Sequence, residues 1–198
     1  MTIYYKDNAF YSDDLGGVPA GAVGISERKH AELLAALNAG SLILPDLSVT
    51  PPRPSALHAW DGKAWVLDKA AAQAHKAAQQ EEMWTRIKQK RHDNLRGGVY
   101  VKSIGKWLHS DDESRAQYTF MRTMSHLPEK MAWKTMDNTF VPMTKALLDE
   151  LSLQLLADEQ ADFANAERHR AAMLKAENPL DYDYSGGWTA NYATATER

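Results

Sequence analysis

Seven histidines and no cysteine set the terms for covalent and metal chemistry in this chain. Without cysteine, disulfides, thiolate nucleophiles and cysteine-ligated zinc are excluded. His109 lies two residues before Asp111, with Asp112 and Glu113 following, a donor set that a hard cation or zinc could use. No second histidine stands at a ligand spacing, and no His-Glu-x-x-His helix occurs. The same acids read better as a helix start, with Ser110 and Glu113 forming a capping box and the acids meeting the helix dipole. The acid pairs Asp13-Asp14, Asp111-Asp112 and Asp181 with Asp183 all fall in turns, caps or a tail, where solvated carboxylates belong. No Gly-x-Ser-x-Gly elbow is present, and the glycine pairs 16-17, 97-98 and 186-187 match no phosphate loop. No catalytic, cofactor-binding or metal-ligating residue is therefore assigned.

The run Arg86, Lys88, Lys90 and Arg91 beside Trp84 has the composition of a nucleic-acid patch. Glu81 and Glu82 precede it, and Glu82 stands one helical turn before Arg86, so a salt-bridged solvated face is the stronger reading. A net charge of −3 adds no global basic field, and no nucleic-acid partner is expected. The six tryptophans and eight tyrosines are more informative. Tyr4, Tyr5, Tyr11, Trp60 and Trp65 fall in short hairpins, and Tyr182, Tyr184 and Trp188 fall near the C-terminus. Aromatics on turns are favoured interface anchors, so the first five are the candidate partner-binding residues.

The elements that must carry these residues read as an α+β fold. Residues 1–67 form short strands around one helix. Ile3-Tyr4-Tyr5 and Phe10-Tyr11 flank an Asp7-Asn8 turn, and Ser26 caps a helix carrying Leu33, Leu34 and Leu37 that stops at Gly40. Leu42-Ile43-Leu44 is a candidate strand before a proline-rich stretch, and Asp61-Gly62 marks a second hairpin between Trp60 and Trp65. Residues 68–94 are rich in Ala, Gln, Glu and Lys and predict a connecting helix with only a narrow apolar edge at Trp84 and Ile87. Residues 95–176 predict hairpin, helix, hairpin, helix. Trp107 and Trp133 stand in the hairpins, Met121 and Phe120 on the first helix, and Leu147, Leu148, Leu151, Leu155, Phe163 and Met173 on the second, capped by Thr144. Residues 177–198 predict an extended tail. The opening Met1-Thr2-Ile3-Tyr4-Tyr5 lacks the regions of a secretion signal, and no segment approaches the roughly 18 apolar residues a membrane helix needs. Neither general secretion nor membrane insertion is expected.

Two segments resemble known families. Met1-Thr2-Ile3-Tyr4-Tyr5, Phe10-Tyr11, and the passage from Val18-Pro19 to Ile25-Ser26 resemble the tail-fibre assembly proteins of tailed bacteriophages. Gly97-Gly98-Val99, the run Trp107 to Arg115 and the run Trp133 to Thr144 resemble a phage-associated domain of uncharacterised function. The resemblance implies no enzyme but a chaperone in the host cytoplasm, bound to the distal C-terminal tip of a trimeric fibre, where some members of the family are thought to stay on the finished tip, with no cofactor. Self-association is a further expectation. The alternative it implies is a permanent component of the virion tail-fibre tip that contacts host surface polysaccharide. For the motif residues Trp107, Ser110, Glu113, Arg115 and Trp133 it implies a structural role, with Arg115 pairing across the first turn of its helix.

Overall fold

The computed structural model describes residues 1–196; the last two residues of the expected tail lie outside them. Its architecture is α+β, with five α-helices and small antiparallel sheets among the described residues. The chain divides into two compact units, Met1–Ala74 and His75–Arg198.

The first unit is built on a three-stranded antiparallel sheet. Strand β1 (Ile3–Lys6) lies between β2 (Ala9–Ser12) and β3 (Val23–Ile25). The β1–β2 turn is Asp7-Asn8, both at positive φ (48° and 62°), the backbone that two-residue hairpins require. Ser26 caps α1 (Glu27–Asn38) by accepting the Lys29 N–H. Leu33 is fully buried against Tyr5 and Ile43, with Phe10, Ile25 and Leu37 packed around them. Leu34, expected on the same stripe, faces solvent, because only the Leu33 and Leu37 spacing stays on the inner face. The Leu42–Leu44 strand does not form; a single bridge joins Ile43 to Val49. The Thr50 hydroxyl accepts the Leu42 N–H and Leu44 N–H donates to the Ser48 carbonyl, closing the segment on itself before the prolines. Strands β4 (His58–Trp60) and β5 (Trp65–Leu67) form the expected second hairpin, with Gly62 at φ +100° in its turn.

Helix α2 (Lys69–Leu95) begins where the Asp68 carboxylate accepts the Ala70 and Ala71 N–H groups. The division between units falls inside this helix, so from His75 onward it is a wall of the second unit and not a spacer. Met83 and Ile87 are buried there against Ala166 and Met173. Hairpin β6 (Val99–Val101) to β7 (Lys106–Leu108) leads into α3 (Asp112–Thr123), and hairpin β8 (Ala132–Lys134) to β9 (Phe140–Pro142) into α4 (Lys145–Met173). Val99, Val101, Leu108, Tyr118 and Met121 pack against Leu147, Leu148, Leu151 and Leu155 of α4 to form the larger core. Phe163 departs from the expected stripe and is half exposed under the Arg91 guanidinium, 5.3 Å from the ring centre.

Residues 177–196 are not a free extended tail. They fold back through a 3-10 turn (Pro179–Asp181) and end in a short helix, α5 (Tyr192–Thr196). Leu180, Tyr182, Tyr184 and Trp188 pack on Met83, Ile87, Ala166 and Met173. The aromatics that made this segment resemble a loose interface tail are the ones that dock it, since each removes a large apolar area from water.

Candidate functional site

The five aromatics singled out in the first unit separate into three environments. Tyr5 is buried, and its hydroxyl donates to Asn8 Oδ1, so it is a core residue and cannot meet a partner directly. Burial raises its phenol above the ordinary value. Tyr4 and Tyr11 are cross-strand neighbours on the sheet and remain half-buried. Trp60 and Trp65 pair edge to face across β4–β5 with ring centres 5.6 Å apart. Trp65 also donates its indole N–H to the Pro51 carbonyl and lies beneath Arg53.

The motif of the second unit is a hinge of hydrogen bonds between three elements. Ser110 does not cap α3. It is buried, accepts the Gly98 N–H and donates to the Leu95 carbonyl, which ties the end of α2 to the hairpin. With that hydroxyl engaged, the cap shifts one residue to Asp111, whose carboxylate accepts the Ser114 N–H at 2.9 Å and hydroxyl at 3.0 Å. These bonds, the Ser114 N–H first, hold the Asp111 carboxyl below its ordinary range. Glu113 is left exposed and makes no capping bond. Arg115 does not pair across the first turn either. Its Nε donates to the Ser110 carbonyl, one Nη to the Leu95 carbonyl, and the other reaches Glu159 of α4 at 3.5 Å. Trp107 stacks at a tilt on Tyr100, and Trp133 donates to the Tyr118 hydroxyl at 3.1 Å. Tyr118 donates in turn to the His109 carbonyl, and its burial pushes the phenol up to about 12.

The acids weighed for metal or acid–base work do not converge. Asp112 pairs with Arg96, Asp13 accepts the Thr2 N–H, and Asp183 accepts the Ser185 N–H. No three His, Asp or Glu side chains among the described residues are grouped to hold a metal ion. On α2, Glu82 pairs with Arg86 at 2.7 Å and Glu81 meets Lys88 at 3.6 Å, so two cations of the basic run are ion-paired, while Arg91 covers the Phe163 ring.

Two features were not singled out in the sequence. The first is an open groove of about 630 Å³ between α3 and the segment running into β8. Its walls are mainly apolar, Ala116, Phe120, Met121, Met124, Pro128, Met131 and Trp133, with Glu113 and Gln117 at one side, and Phe120 is 67% exposed. Methionine side chains are unbranched and adapt to the shape of whatever packs on them. The second is a buried polar cluster. Asp162, fully buried on α4, accepts from Asn94 Nδ2 at 2.7 Å and from the Thr189 N–H at 2.8 Å. Asn94 in turn accepts from Asn191, and Asn165 donates to the Gly186 carbonyl. This cluster fastens the C-terminal segment and leaves no described buried side-chain nitrogen or oxygen without a partner. The signals were present: three methionines, Met121, Met124 and Met131, with an aromatic on either side of Pro128, and Asp162 and Asn165 placed among the inward-facing positions of α4.

Residues 75–186 match the family described as Domain of unknown function (DUF4376), and the chain belongs to that family. No curated protein and no solved structure matches the chain. The family match begins at His75, the first residue of the second unit, and leaves the first unit outside it.

Proposed function

We propose that this protein is a non-enzymatic assembly chaperone for the tail fibre of a tailed bacteriophage, acting on the distal end of the trimeric fibre in the host cytoplasm. The observation that carries the reading is the methionine- and aromatic-lined groove at α3, which offers a fibre segment an apolar seat that water otherwise occupies. The resemblance of the first unit to tail-fibre assembly proteins supplies the kind of partner. Intertwined fibres depend on non-local β contacts that form slowly and expose aggregation-prone edges, so a partner holding the tip in register shortens that exposure.

The test is co-expression with the fibre gene of the same genome, followed by size exclusion and mass determination. A soluble trimeric fibre that appears only with this protein, and is lost with Phe120→Glu while the variant keeps its own fold, supports the reading. A soluble trimer without the protein, and no complex, overturns it. The second reading, a permanent tip component that contacts host polysaccharide, draws on the half-buried Trp60–Trp65 pair, whose rings combine an apolar face with a polar edge. Mass spectrometry of purified virions separates the two, since a chaperone that departs is missing there.

A further inference from the structure

We propose that the α3 groove takes its occupant as an added β-strand: an extended segment of the fibre pairs with the open edge of β8 and lies between that edge and α3. This rests on the chaperone reading and states how its partner is held. The bonds of the β8–β9 hairpin fix which way each residue of β8 points its backbone. The Met131 carbonyl accepts the Met143 N–H, Thr135 donates its N–H to the Thr139 carbonyl, and the register pairs Trp133 with Val141. Residues 131, 133 and 135 therefore face β9, and the N–H and C=O groups of Ala132 and Lys134 point away from it. Those four groups have no backbone partner among the described residues. The hairpin's other edge is blunted, since Pro142 has no N–H to offer a strand there.

A cavity of about 540 Å³ adjoins the apolar groove and shares Glu113, Gln117 and Trp133 with it. Ala132, Trp133 and Lys134 line it in succession. Successive residues of a strand point to opposite faces, so a cavity that touches all three runs along the strand's edge and not over one face. Ser114 and Gln117 of α3 close its other side. Groove and cavity together follow α3 from Glu113 to Met124, about 16 Å along the axis, which is room for about five extended residues. An open strand edge flanked by a helix is the arrangement to which peptides add as a further strand.

Two observations name an extended chain as the occupant. Whatever fills the trough takes the four edge groups out of water, and buried backbone groups need partners. A helix bonds its own backbone internally and offers none, whereas a paired strand satisfies all four. The second observation is charge. Lys134 is exposed and makes no ion pair among the described residues. An added strand sets one outward-facing residue directly across from it, where an acid pairs best. The strand's inward-facing residues meet Phe120, Met121 and Met124 and must be apolar. The segment therefore alternates, apolar inward, with an acid at the outward position opposite Lys134. A second copy of this edge does not fit, because β8 carries no acid to set against the lysine.

The test uses the full-length protein and short, overlapping, fluorescein-labelled peptides tiled along the C-terminal region of the fibre encoded in the same genome. Fluorescence anisotropy should find a binding peptide with the alternating pattern. N-methylating its backbone one residue at a time should weaken binding by about tenfold or more at every second position, with little change between. Ala132→Pro removes one free N–H and none of the bonds to β9, as Pro142 already does across the hairpin. It should weaken the peptide by about tenfold while circular dichroism and the urea midpoint stay near the parent's. Lys134→Glu should weaken the same peptide, and exchanging the peptide's acid for lysine should restore it. No binding peptide, a methylation pattern with a helical period or none, or a Lys134→Glu loss that the exchange leaves unrestored overturns strand addition. A co-expressed fibre complex that survives both Ala132→Pro and Lys134→Glu also overturns it, and leaves the chaperone reading standing. Absence of any complex with the parent protein removes both.

Discussion

Replacing Asp162 with asparagine changes one buried atom and tests why the C-terminal segment is ordered. The carboxylate of Asp162 faces donors only. One oxygen accepts the Thr189 N–H, and the other accepts from Asn94 Nδ2 and the Thr189 hydroxyl. An asparagine in the same place must turn its NH₂ towards either the Thr189 N–H or the Asn94 amide, so a donor meets a donor whichever way it is flipped. Losing a hydrogen bond to a charged group removes about 1.5–3 kcal/mol, and leaving a buried donor unpaired costs about 1–3 kcal/mol. Relief from burying a charge offsets part of that sum. The net loss expected for Asp162→Asn is about 2–4 kcal/mol, a large fraction of an ordinary domain's stability.

Urea unfolding followed by tryptophan fluorescence reads this loss, and hydrogen exchange locates it. The amides of Thr189 and Tyr192, which donate to Asp162 and to the Gly97 carbonyl, should lose protection before those of the β6–β7 hairpin do. Asp158→Asn is the control, one turn earlier on the same helix. Asp158 sits partly desolvated and near the Asp162 charge, and both influences raise its carboxyl above the ordinary value. Neutralising it should leave stability unchanged or slightly higher. An Asp162→Asn protein within about 0.5 kcal/mol of the parent, with Thr189 still protected, would refute the argument, because the apolar docking of Trp188 and Tyr184 alone would then hold the segment.

Tyr118 gives the second core a pH signature. Its phenol is raised from 10.0 to about 12 by burial. Below pH 10 the folded and unfolded chains are both protonated there; between 10 and 12 only the unfolded chain loses the proton, so stability falls by about 2–3 kcal/mol across that window. The difference in urea midpoint between the parent and Tyr118→Phe should shrink from pH 9 to pH 11.5, and a constant difference would count against it. Gly98→Ala should destabilise by about 2–3 kcal/mol, since φ is +103° and the new methyl would collide with the Met136 sulfur. Gly62→Ala has a similar φ of +100° but open space around it, and should cost only about 1 kcal/mol of backbone strain, both changes being read by urea unfolding.

The elements were legible where local chemistry decides them. Asp7-Asn8, Ser26, Gly40, Asp61-Gly62 and Thr144 act within a few residues of themselves, and each marks the turn or cap it forms. Ser110 was misread because two candidate caps adjoin. The choice between Ser110 and Asp111 is made by Gly98 and Leu95, which compete for the serine hydroxyl from a distance along the chain. The Leu42–Leu44 strand failed for the opposite reason: no neighbouring strand exists for it to pair with beyond Val49, and three apolar residues cannot form a sheet alone. Tyr5 and Tyr11 show the limit for the candidate site. Both are hairpin tyrosines, yet the sheet buries Tyr5 and leaves Tyr11 partly open, and nothing in their own neighbourhoods distinguishes them. The groove was hidden because its walls come from one helix and a segment that follows it, joined only when Pro128 turns the chain back.

The terminal segment carries the last step of the argument. The family match ends at residue 186, yet the residues that complete the buried cluster, Thr189 and Asn191, lie beyond it. Asp162 and Asn94, inside the match, would be a buried charge and a buried amide without adequate partners if nothing occupied that place. Water is a poor substitute, because Trp188 stacks on His169 and closes the apolar side, while the His169 ring is held between the Tyr182 hydroxyl and the Gly186 carbonyl. The segment beyond the match is thus a structural part of the matched domain, fixed by directional bonds to one register. The α3 groove differs: apart from Trp133, whose indole N–H is fixed on the Tyr118 hydroxyl, its apolar walls are methionines and Phe120, which can repack. One unit therefore pairs a rigid polar seam, which specifies its own fold, with a more pliable apolar groove.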